Sequence, residues 1–502
     1  MILQERHFLA FFATIIAIVV PIFAITTGLP ALALLPILLF LGYGLISNAN
    51  RMYIFALICV AVQLKAPIGR FMMADICYLL VVALLLLKIS IHRTEKQSSN
   101  LMCDRLVIFF LVNMLIIIFF RGAGLAILGD TKVGGGSYIL WIACLLGLFF
   151  SKYIKLNSKE AKFLILGWMI LPLLNPFLEW LTIKSGGSIY PITKYFNIKF
   201  GTLYQAIVTQ DIETIRAGTG PISVFFQIVS LLILARRQNL FLFAVFAVLG
   251  AIAIMFSGFR SYLVAYFVVT FVSAYFLYKK RVALVAFALV SSVSLYLVFL
   301  IIIDYVSFAV QRALSFVPGL KVDGIALENA LDTTTWRIEI WELALKDFWT
   351  YAFVGRGLAW EIQGWTNLFH GNWYQTPTFF YANHNYHSGP VTVLIDYGLP
   401  GTILWLSLQI LAIKDLGKSF KLAVKNASKS IICSFYVYGY ILVFWDVIHF
   451  WLIYGQTATM QKFISYFILM KLLQVVIKND FSDDNINLNK NIFESSKLIK
   501  VS

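Results

Sequence analysis

Residues 381–401, YANHNYHSGPVTVLIDYGLPG, close the longest non-hydrophobic interval of the chain and lead directly into an apolar helix. They place two histidines, His384 and His387, where a polar loop meets a predicted membrane surface. Ionisable groups are costly at such a depth and are usually retained for a function. The rest of the chain is therefore expected to be the scaffold that presents this stretch.

The composition is that of a membrane protein. The 502 residues are 60 % hydrophobic and 13 % charged, and the mean hydropathy is +0.84. Apolar segments recur along the chain, and a segment of about 20 residues crosses a hydrocarbon core of about 30 Å as a helix. The fold class is therefore predicted to be an all-α polytopic membrane protein with about 12–14 transmembrane helices. The fourteen predicted spans are 8–28, 30–47, 52–65, 72–89, 104–121, 136–154, 161–183, 219–236, 239–256, 261–278, 281–303, 389–413, 430–449 and 455–477.

The distribution of basic residues predicts the orientation. Connections on one side of the predicted bundle hold 19 Lys and Arg residues, and the short connections on the other side hold 5. The positive-inside bias places the lysine-rich side, and with it both termini, in the cytoplasm. The net charge of +16 is therefore a membrane-orientation signal and gives no reason to expect a nucleic-acid partner.

This topology divides the chain into four parts. They are a helical bundle (1–303), a large outer loop (304–388), C-terminal transmembrane helices (389–477) and a cytoplasmic tail (478–502) that is expected to be disordered. The outer loop is rich in aromatic residues, and residues 335–350 show helical spacing of apolar positions. We expect an amphipathic helix there, lying on the membrane surface or capping the bundle.

Four candidate functional residues fall at the outer water–lipid boundary: Arg216, Arg260, Arg337 and His387. Guanidinium groups stay charged and offer forked donors that match phosphate oxygens. This position suits the binding of a diphosphate whose lipid tail remains in the bilayer. Arg260 is the most informative, because a short turn on the charge-poor face has no other evident need for a cation.

Each candidate also has a structural interpretation. An arginine at the end of a span is commonly an interfacial anchor. Arg337 has Glu339 and Glu342 on its own predicted helix as alternative partners, and an interfacial histidine is often a hydrogen-bonded loop residue. The loop tryptophans are typical of an interfacial belt.

Other polar residues lie within or beside predicted spans. Asp75, Asp446 and His449 are either structural hydrogen-bond partners or part of a cavity lining. His384 and Asp396 are secondary candidates near His387, but Asp396 falls inside the following helix, so these residues form no convincing metal-ligand set. No metal and no cofactor are predicted.

Taken together, these features resemble the O-antigen ligase and O-antigen polymerase (Wzy-type) superfamily of bacterial membrane glycosyltransferases. The resemblance covers about residues 210–415 and rests on four motifs in order. The motifs are Arg216 with Gly218 and Pro221; Ser257-Gly-Phe-Arg260; Trp336-Arg337-Ile-Glu-Ile-Trp341 followed by Gly355-Arg-Gly357; and His387-Ser388, nine residues, then Gly398-Leu-Pro-Gly401. Nine residues counted from His384-Asn385 lead to Ile395 instead of a glycine. The spacing therefore favours His387 as the histidine of the motif.

The resemblance implies a helical fold of the lipid-carrier-using, GT-C-like kind and a metal-independent glycosyltransferase in the bacterial inner membrane, with a periplasmic active site. The donor would be an undecaprenyl-diphosphate-linked glycan, and the acceptor lipid A core or another carrier-linked repeat, with a chain-length regulator as a further partner. His387 would act on the acceptor hydroxyl, Arg216 and Arg260 would hold the diphosphate, and Arg337 would organise the loop or the donor sugars.

Two alternatives remain. Within the superfamily, the motifs do not distinguish a ligase, a polymerase and a protein O-glycosyltransferase. Outside it, a flippase or transporter of a lipid-linked glycan also has many spans. A transporter is expected to carry charges along a path through the midplane, whereas these cations cluster at one face, which favours an enzyme.

Overall fold

The computed structural model describes residues 49–65, 73–91, 101–124, 132–196, 218–361 and 376–498. The first two predicted spans and Arg216 lie outside these ranges. The helices of the first part are α1 (Ala49–Val62), α2 (Met73–Ile91), α3 (Leu101–Arg121), α4 (Gly135–Phe150), α5 (Ser158–Ile170), α6 (Leu174–Lys184) and α7 (Tyr190–Thr193). Short 3-10 turns cover Ser151–Tyr153, Leu171–Leu173 and Lys194–Phe196.

The second part begins with α8 (Gly220–Arg237), α9 (Leu240–Met255), α10 (Arg260–Leu277) and α11 (Arg281–Ile302), which runs into a 3-10 turn, Ile303–Tyr305. The outer loop carries α12 (Phe308–Leu314), α13 (Gly324–Lys346), α14 (Phe348–Tyr351) and α15 (Pro377–Ala382). The chain then forms α16 (Gly389–Asn426), α17 (Ile431–Leu452) and α18 (Thr457–Leu498). Two short strands, β1 (Lys132–Val133) and β2 (Trp360–Glu361), pair in antiparallel fashion, with Val133 opposite Trp360.

The predicted all-α polytopic class is confirmed. Nine helices within the described ranges are long and apolar enough to cross a membrane, and α5 and α6 form one of them across the turn at Leu171–Leu173. Three shorter apolar helices, Asn50–Val62, Met73–Ala83 and Leu240–Met255, coincide with further predicted spans. Every predicted span from 52–65 onward therefore corresponds to a helix.

An aromatic cluster anchors α16 to α3 and α4. Trp405 of α16 lies with its ring centroid 5.9 Å from that of Trp141 in α4, and Trp141 lies 5.4 Å from Phe110 in α3. Tyr397 completes the cluster, 5.8 Å from Trp141. All four side chains are buried. Buried aromatic side chains contribute large apolar areas and specific ring geometries, so this cluster fixes the part of α16 that lies next to the candidate site.

The loop helix α13 caps the bundle. It begins at Gly324, where the side chain of Asp323 accepts a hydrogen bond from the backbone N–H of Ile325 (2.8 Å), and therefore extends eleven residues beyond the N-terminal end predicted from the sequence. Ile340 and Ala344 are fully buried and pack with Tyr386 and with α16. Trp341 Nε1 donates to the carbonyl of Tyr386 (2.8 Å). The helix thus covers the residues quoted at the outset.

The last helix continues into the tail that was predicted from Lys478. The backbone of α18 is helical to Leu498. Once a helix is established, each added residue gains a hydrogen bond without a new nucleation cost, so a polar sequence can continue a long apolar helix.

The predicted orientation has a direct test. Cysteines introduced at Ser428, between α16 and α17, and at Ser307, after α11, occupy exposed positions at opposite ends of the bundle. A membrane-impermeant thiol reagent applied to spheroplasts is expected to label residue 307 and to spare residue 428, because the predicted orientation places the basic loops in the cytoplasm. The five native cysteines are buried and should give little background. Labelling at 428 with protection at 307 would invert the topology.

Candidate functional site

Helix α16 is broken at Gly398, three residues before Gly401. Gly398 has φ 68° and ψ −178°, far from helical values. The next N–H, that of Leu399, donates to the carbonyl of Ala352 (2.6 Å) instead of to the preceding turn of its own helix. Pro400 follows and has no N–H to donate. The break therefore leaves the carbonyls of Ile395 and Asp396 without their usual partners in the helix.

The Gly355-Arg356-Gly357 turn supplies those partners. The N–H of Arg356 donates to the carbonyl of Ile395 (2.7 Å), and the N–H of Gly357 donates to the carbonyl of Asp396 (3.0 Å). A Cβ atom at Gly355 would lie 2.5 Å from the carbonyl oxygen of Asp396. The two glycine motifs noted in the sequence are thus the two halves of one backbone interlock, which joins the outer loop to the broken helix.

Substitution Gly398→Ala is expected to destabilise the protein strongly. Its backbone conformation is essentially restricted to glycine and costs other residues about 1–3 kcal/mol, and a Cβ atom there would lie 2.9 Å from the Ala352 oxygen. Thermal unfolding in detergent should show a clear drop in Tm. Gly136→Ala is the matched control, because a Cβ atom at Gly136 in α4 meets nothing within 4 Å. Equal Tm values for the two variants would contradict the interlock.

Asp396 is the centre of a buried polar network. Its Oδ1 lies 2.7 Å from His384 Nδ1 and accepts a hydrogen bond from the Tyr386 hydroxyl (2.9 Å). Arg356 Nη1 donates to that hydroxyl (3.2 Å) and to the carbonyl of Tyr381 (2.7 Å). The side chains of Asp396 and Tyr386 are fully buried. The network holds the histidine-bearing loop against α16, at the break.

The network also determines which ring nitrogen of His384 carries the proton. A proton on Nδ1 donates to Asp396, which leaves Nε2 as the free ring nitrogen when the imidazole is neutral. Nε2 is buried and has no hydrogen-bond partner in the described part of the chain. His384 also has a positive φ of 58°, which is uncommon for a residue other than glycine. The secondary candidates His384 and Asp396 are therefore brought together as a pair.

His387 lies in an aromatic pocket. Its ring is 5.0 Å from Trp336, 5.4 Å from Tyr454 and 5.8 Å from Phe380, measured between centroids. Neither ring nitrogen bonds to a described residue. Burial lowers the pKa of His387 to about 4, and the charge of Arg337 adds to this effect. The imidazole is therefore neutral near pH 7, and both of its nitrogens are buried without a hydrogen-bond partner among the described residues.

The structure brings Arg260 and Arg337 together. Arg260 is the first residue of α10, and its Nη2 donates to the carbonyl of Ala330 in α13 (2.8 Å). Burial lowers the pKa of Arg337, and the nearby charge of Arg260 acts in the same direction, while Tyr454 opposes them. Arg337 Nε is buried without a hydrogen-bond partner among the described residues. The two predicted cations thus face a common region beside His387.

No acidic side chain of the described part of the chain lies within 4.0 Å of either arginine. Glu339 and Glu342, the alternative partners of Arg337, are exposed on its helix and do not pair with it. Adjacent like charges without an anion are unfavourable, and forked guanidinium donors match phosphate oxygens. The arrangement is chemically suited to an anionic ligand. Arg216 lies outside the described residues.

Two further residues of this region were not singled out from the sequence. Tyr454, between α17 and α18, lies between His387 and His449, with its ring 6.1 Å from that of His449. Lys462 lies in α18 and acts electrostatically on His449. A charge inside a predicted span was the available signal for Lys462. Asp75, by contrast, is a core residue that accepts a hydrogen bond from Cys144 Sγ (3.8 Å).

The described residues contain no group of three or more His, Cys, Asp or Glu side chains arranged to hold a metal ion. The groups that the site brings together are the cations of Arg260 and Arg337 and the imidazoles of His384 and His387. Together they can bind an anion, orient a hydroxyl group and accept a proton.

Comparison with known proteins identifies the region that contains this site. No curated protein compared with the sequence matches it. A family model matches residues 222–406, a range that ends shortly after Gly401 of α16. The range includes Arg260, Arg337, His384, His387 and Asp396. These residues match the family model described as O-antigen ligase, and the resemblance to the O-antigen ligase and polymerase superfamily is confirmed.

Proposed function

We propose that the protein is a metal-independent glycosyltransferase that transfers or polymerises an undecaprenyl-diphosphate-linked glycan at the periplasmic face of the bacterial inner membrane. The observation that carries this proposal is the pair of arginines, Arg260 and Arg337, which lie together beside His387 without an acidic partner in the described chain. The family of residues 222–406 supports a role in surface-polysaccharide biosynthesis.

The reaction follows from these groups. The acceptor hydroxyl attacks the anomeric carbon of the donor sugar, and the bond from that carbon to the diphosphate oxygen breaks. Arg260 and Arg337, together with Arg216, hold the diphosphate and offset the negative charge that develops on it. His387 orients the hydroxyl and accepts its proton as the new glycosidic bond forms. Fixed cations thus supply the charge stabilisation that a metal provides in other enzymes.

A transporter or flippase of lipid-linked glycans is the alternative. The two arginines lie at the start of α10 and in the outer loop, and Lys462 lies near the start of α18, so these cations are grouped at one end of the helices instead of being spread along a path through the bilayer. An ionisable transport path is expected near the midplane. This placement favours glycosyl transfer.

The proposal is tested by deleting the gene and separating lipopolysaccharide and exopolysaccharide on a gel. Core bearing a single repeat indicates a polymerase, and full chains left on the carrier indicate a ligase. Expression of the wild-type gene should restore the ladder in either case, and the Arg260→Ala gene should not. Unchanged glycans after deletion, or donor retained on the cytoplasmic side of the membrane, would contradict the proposal.

The pH dependence of kcat/KM tests the role of His387 in the free enzyme. A general base acts in its neutral form, and the pKa of His387 is lowered to about 4. The neutral form therefore dominates above that pH, and kcat/KM is expected to fall only as pH approaches about 4. An acidic limb with its midpoint near 6.5, the ordinary histidine value, would instead indicate a base outside this pocket. The measurement needs purified protein and a carrier-linked glycan.

A further inference from the structure

Lys462 is a charged residue inside a membrane-spanning helix. It lies five residues after the start of α18, about 7–8 Å along the helix axis, and within the span Thr457–Phe481. The α17–α18 hairpin that carries it follows the region matched by the O-antigen ligase family model. An ionisable side chain in such a segment is costly and usually has a functional role.

The lysine is not neutralised by a direct ion pair. Asp446 of α17 lies near enough to act on it electrostatically, but no carboxylate of the described chain lies within 4.0 Å of its ammonium group. The ammonium lies 5.4 Å from the centroid of the Tyr466 ring, and the side chain remains exposed. No hydrogen bond joins this ammonium to a described residue, so its donors are not committed within the described chain.

The surroundings of Lys462 are continuous with the arginine site. His449 experiences the charges of both Lys462 and Arg337. The ring of Tyr454 lies between His449 and His387. On the opposite side, Tyr262, two residues after Arg260 in α10, acts on both Lys462 and Tyr454. The cations of α10, α18 and the loop helix α13 thus belong to a single region, which His449 of α17 also borders.

We propose that Lys462 is a further cationic ligand of the donor diphosphate, in addition to the arginines, and that it contacts one phosphate group from the C-terminal hairpin. This proposal rests on the proposed function. A diphosphate presents two phosphate groups, and a lysine acts on one of them as a compact point charge beside the forked arginines. The alternative is a structural role, in which Lys462 and Asp446 hold α17 against α18.

The test measures binding, separately from glycan transfer. Farnesyl diphosphate and farnesyl monophosphate are titrated against the purified full-length protein, its Lys462→Gln and Lys462→Arg variants, and a Lys471→Gln control. Lys471 lies on the same helix about 13 Å further along its axis, with its ammonium 5.7 Å from the Phe467 ring. Lys462→Gln is expected to weaken diphosphate binding about 10- to 100-fold, with a smaller effect on the monophosphate. Lys462→Arg and Lys471→Gln should bind nearly as the wild type does.

The Asp446→Asn variant distinguishes a ligand role of Lys462 from a structural one, even if Lys462→Gln fails to fold. Removal of the neighbouring negative charge should leave diphosphate binding as tight as in the wild type or tighter when Lys462 is a ligand. A folded Lys462→Gln variant with wild-type affinity, or loss of binding in Asp446→Asn, would overturn the proposal. Diphosphate binding that depends on Lys462 in a protein without transfer activity would support this proposal and refute the proposed function, so the two failures are distinguishable.

Discussion

His387→Ala is expected to lower the turnover of glycan transfer by about 10²–10⁴-fold, the usual contribution of general-base catalysis. The imidazole lies between Trp336, Phe380 and Tyr454, and neither of its nitrogens is engaged by a described residue. Binding of the carrier-linked donor should be retained, because the arginines hold the diphosphate. Two measurements on the purified variant check this expectation. A binding assay gives its affinity for the donor, and a single-turnover assay gives its rate of glycan transfer.

His384→Ala is the matched control, three residues away in the same loop. Its ring nitrogen bonds to Asp396, so its loss should reduce stability more than turnover, and Tyr386 still donates to the carboxylate. Weaker donor binding with unchanged transfer at saturation would make His387 a donor ligand. A wild-type rate for His387→Ala beside an inactive His384→Ala would assign the base to the imidazole supported by Asp396.

The glycine motifs illustrate what the sequence predicts and what it omits. Their spacing identified His387, and with it the junction of loop and helix. The hydrogen bonds from Arg356 and Gly357 to the carbonyls of Ile395 and Asp396 join segments about 40 residues apart. No local pattern encodes such a pairing, because it depends on how the loop folds back onto α16. The importance of the two glycine motifs was therefore predictable from the sequence, whereas the hydrogen bonds that join them were not.

Helix α13 shows a similar limit. The helical spacing of apolar residues predicted a start near Thr335, and residues 333–335 are threonines, which have a low helix propensity. The helix nevertheless begins at Gly324, with Ala326 and Ala330 fully buried one turn apart. Their small side chains allow close packing, and tertiary contacts outweigh propensity. The same folding removes Glu339 and Glu342 as partners of Arg337, an alternative that the sequence had left open.

Lys462 was missed for a different reason. The predicted span 455–477 was scored by its apolar content, and a single lysine does not alter that pattern. Its relation to the site depends on the packing of α18 beside α17 and on the position of Tyr454 between two histidines. Asp446 and His449 are recognisable as polar residues near a span end, but no sequence pattern specifies the register between the two helices.

Arg260→Ala is expected to reduce glycan transfer by at least about 10²–10³-fold, the effect of removing one preorganised group that stabilises developing charge. The guanidinium begins α10, reaches the Ala330 carbonyl of α13 (2.8 Å), and lies close enough to Arg337 to influence it. Its loss removes positive charge from the place where the leaving diphosphate is proposed to lie. Membrane abundance should remain near normal, because the side chain makes one hydrogen bond to the described part of the protein, and its loss costs about 1.5–3 kcal/mol.

Two further variants make this expectation specific. Arg260→Lys should restore only part of the rate, because a compact ammonium does not reproduce a forked pair of donors. Arg281→Ala is the control, since Arg281 also begins a helix but is exposed, and its guanidinium lies against the Tyr275 ring at 5.0 Å. Transfer of a carrier-linked glycan is followed at equal amounts of folded protein. Normal rates of transfer in the alanine variants of both Arg216 and Arg260 would exclude the proposal that these arginines hold the diphosphate. The mechanism requires that these cations act on the leaving group.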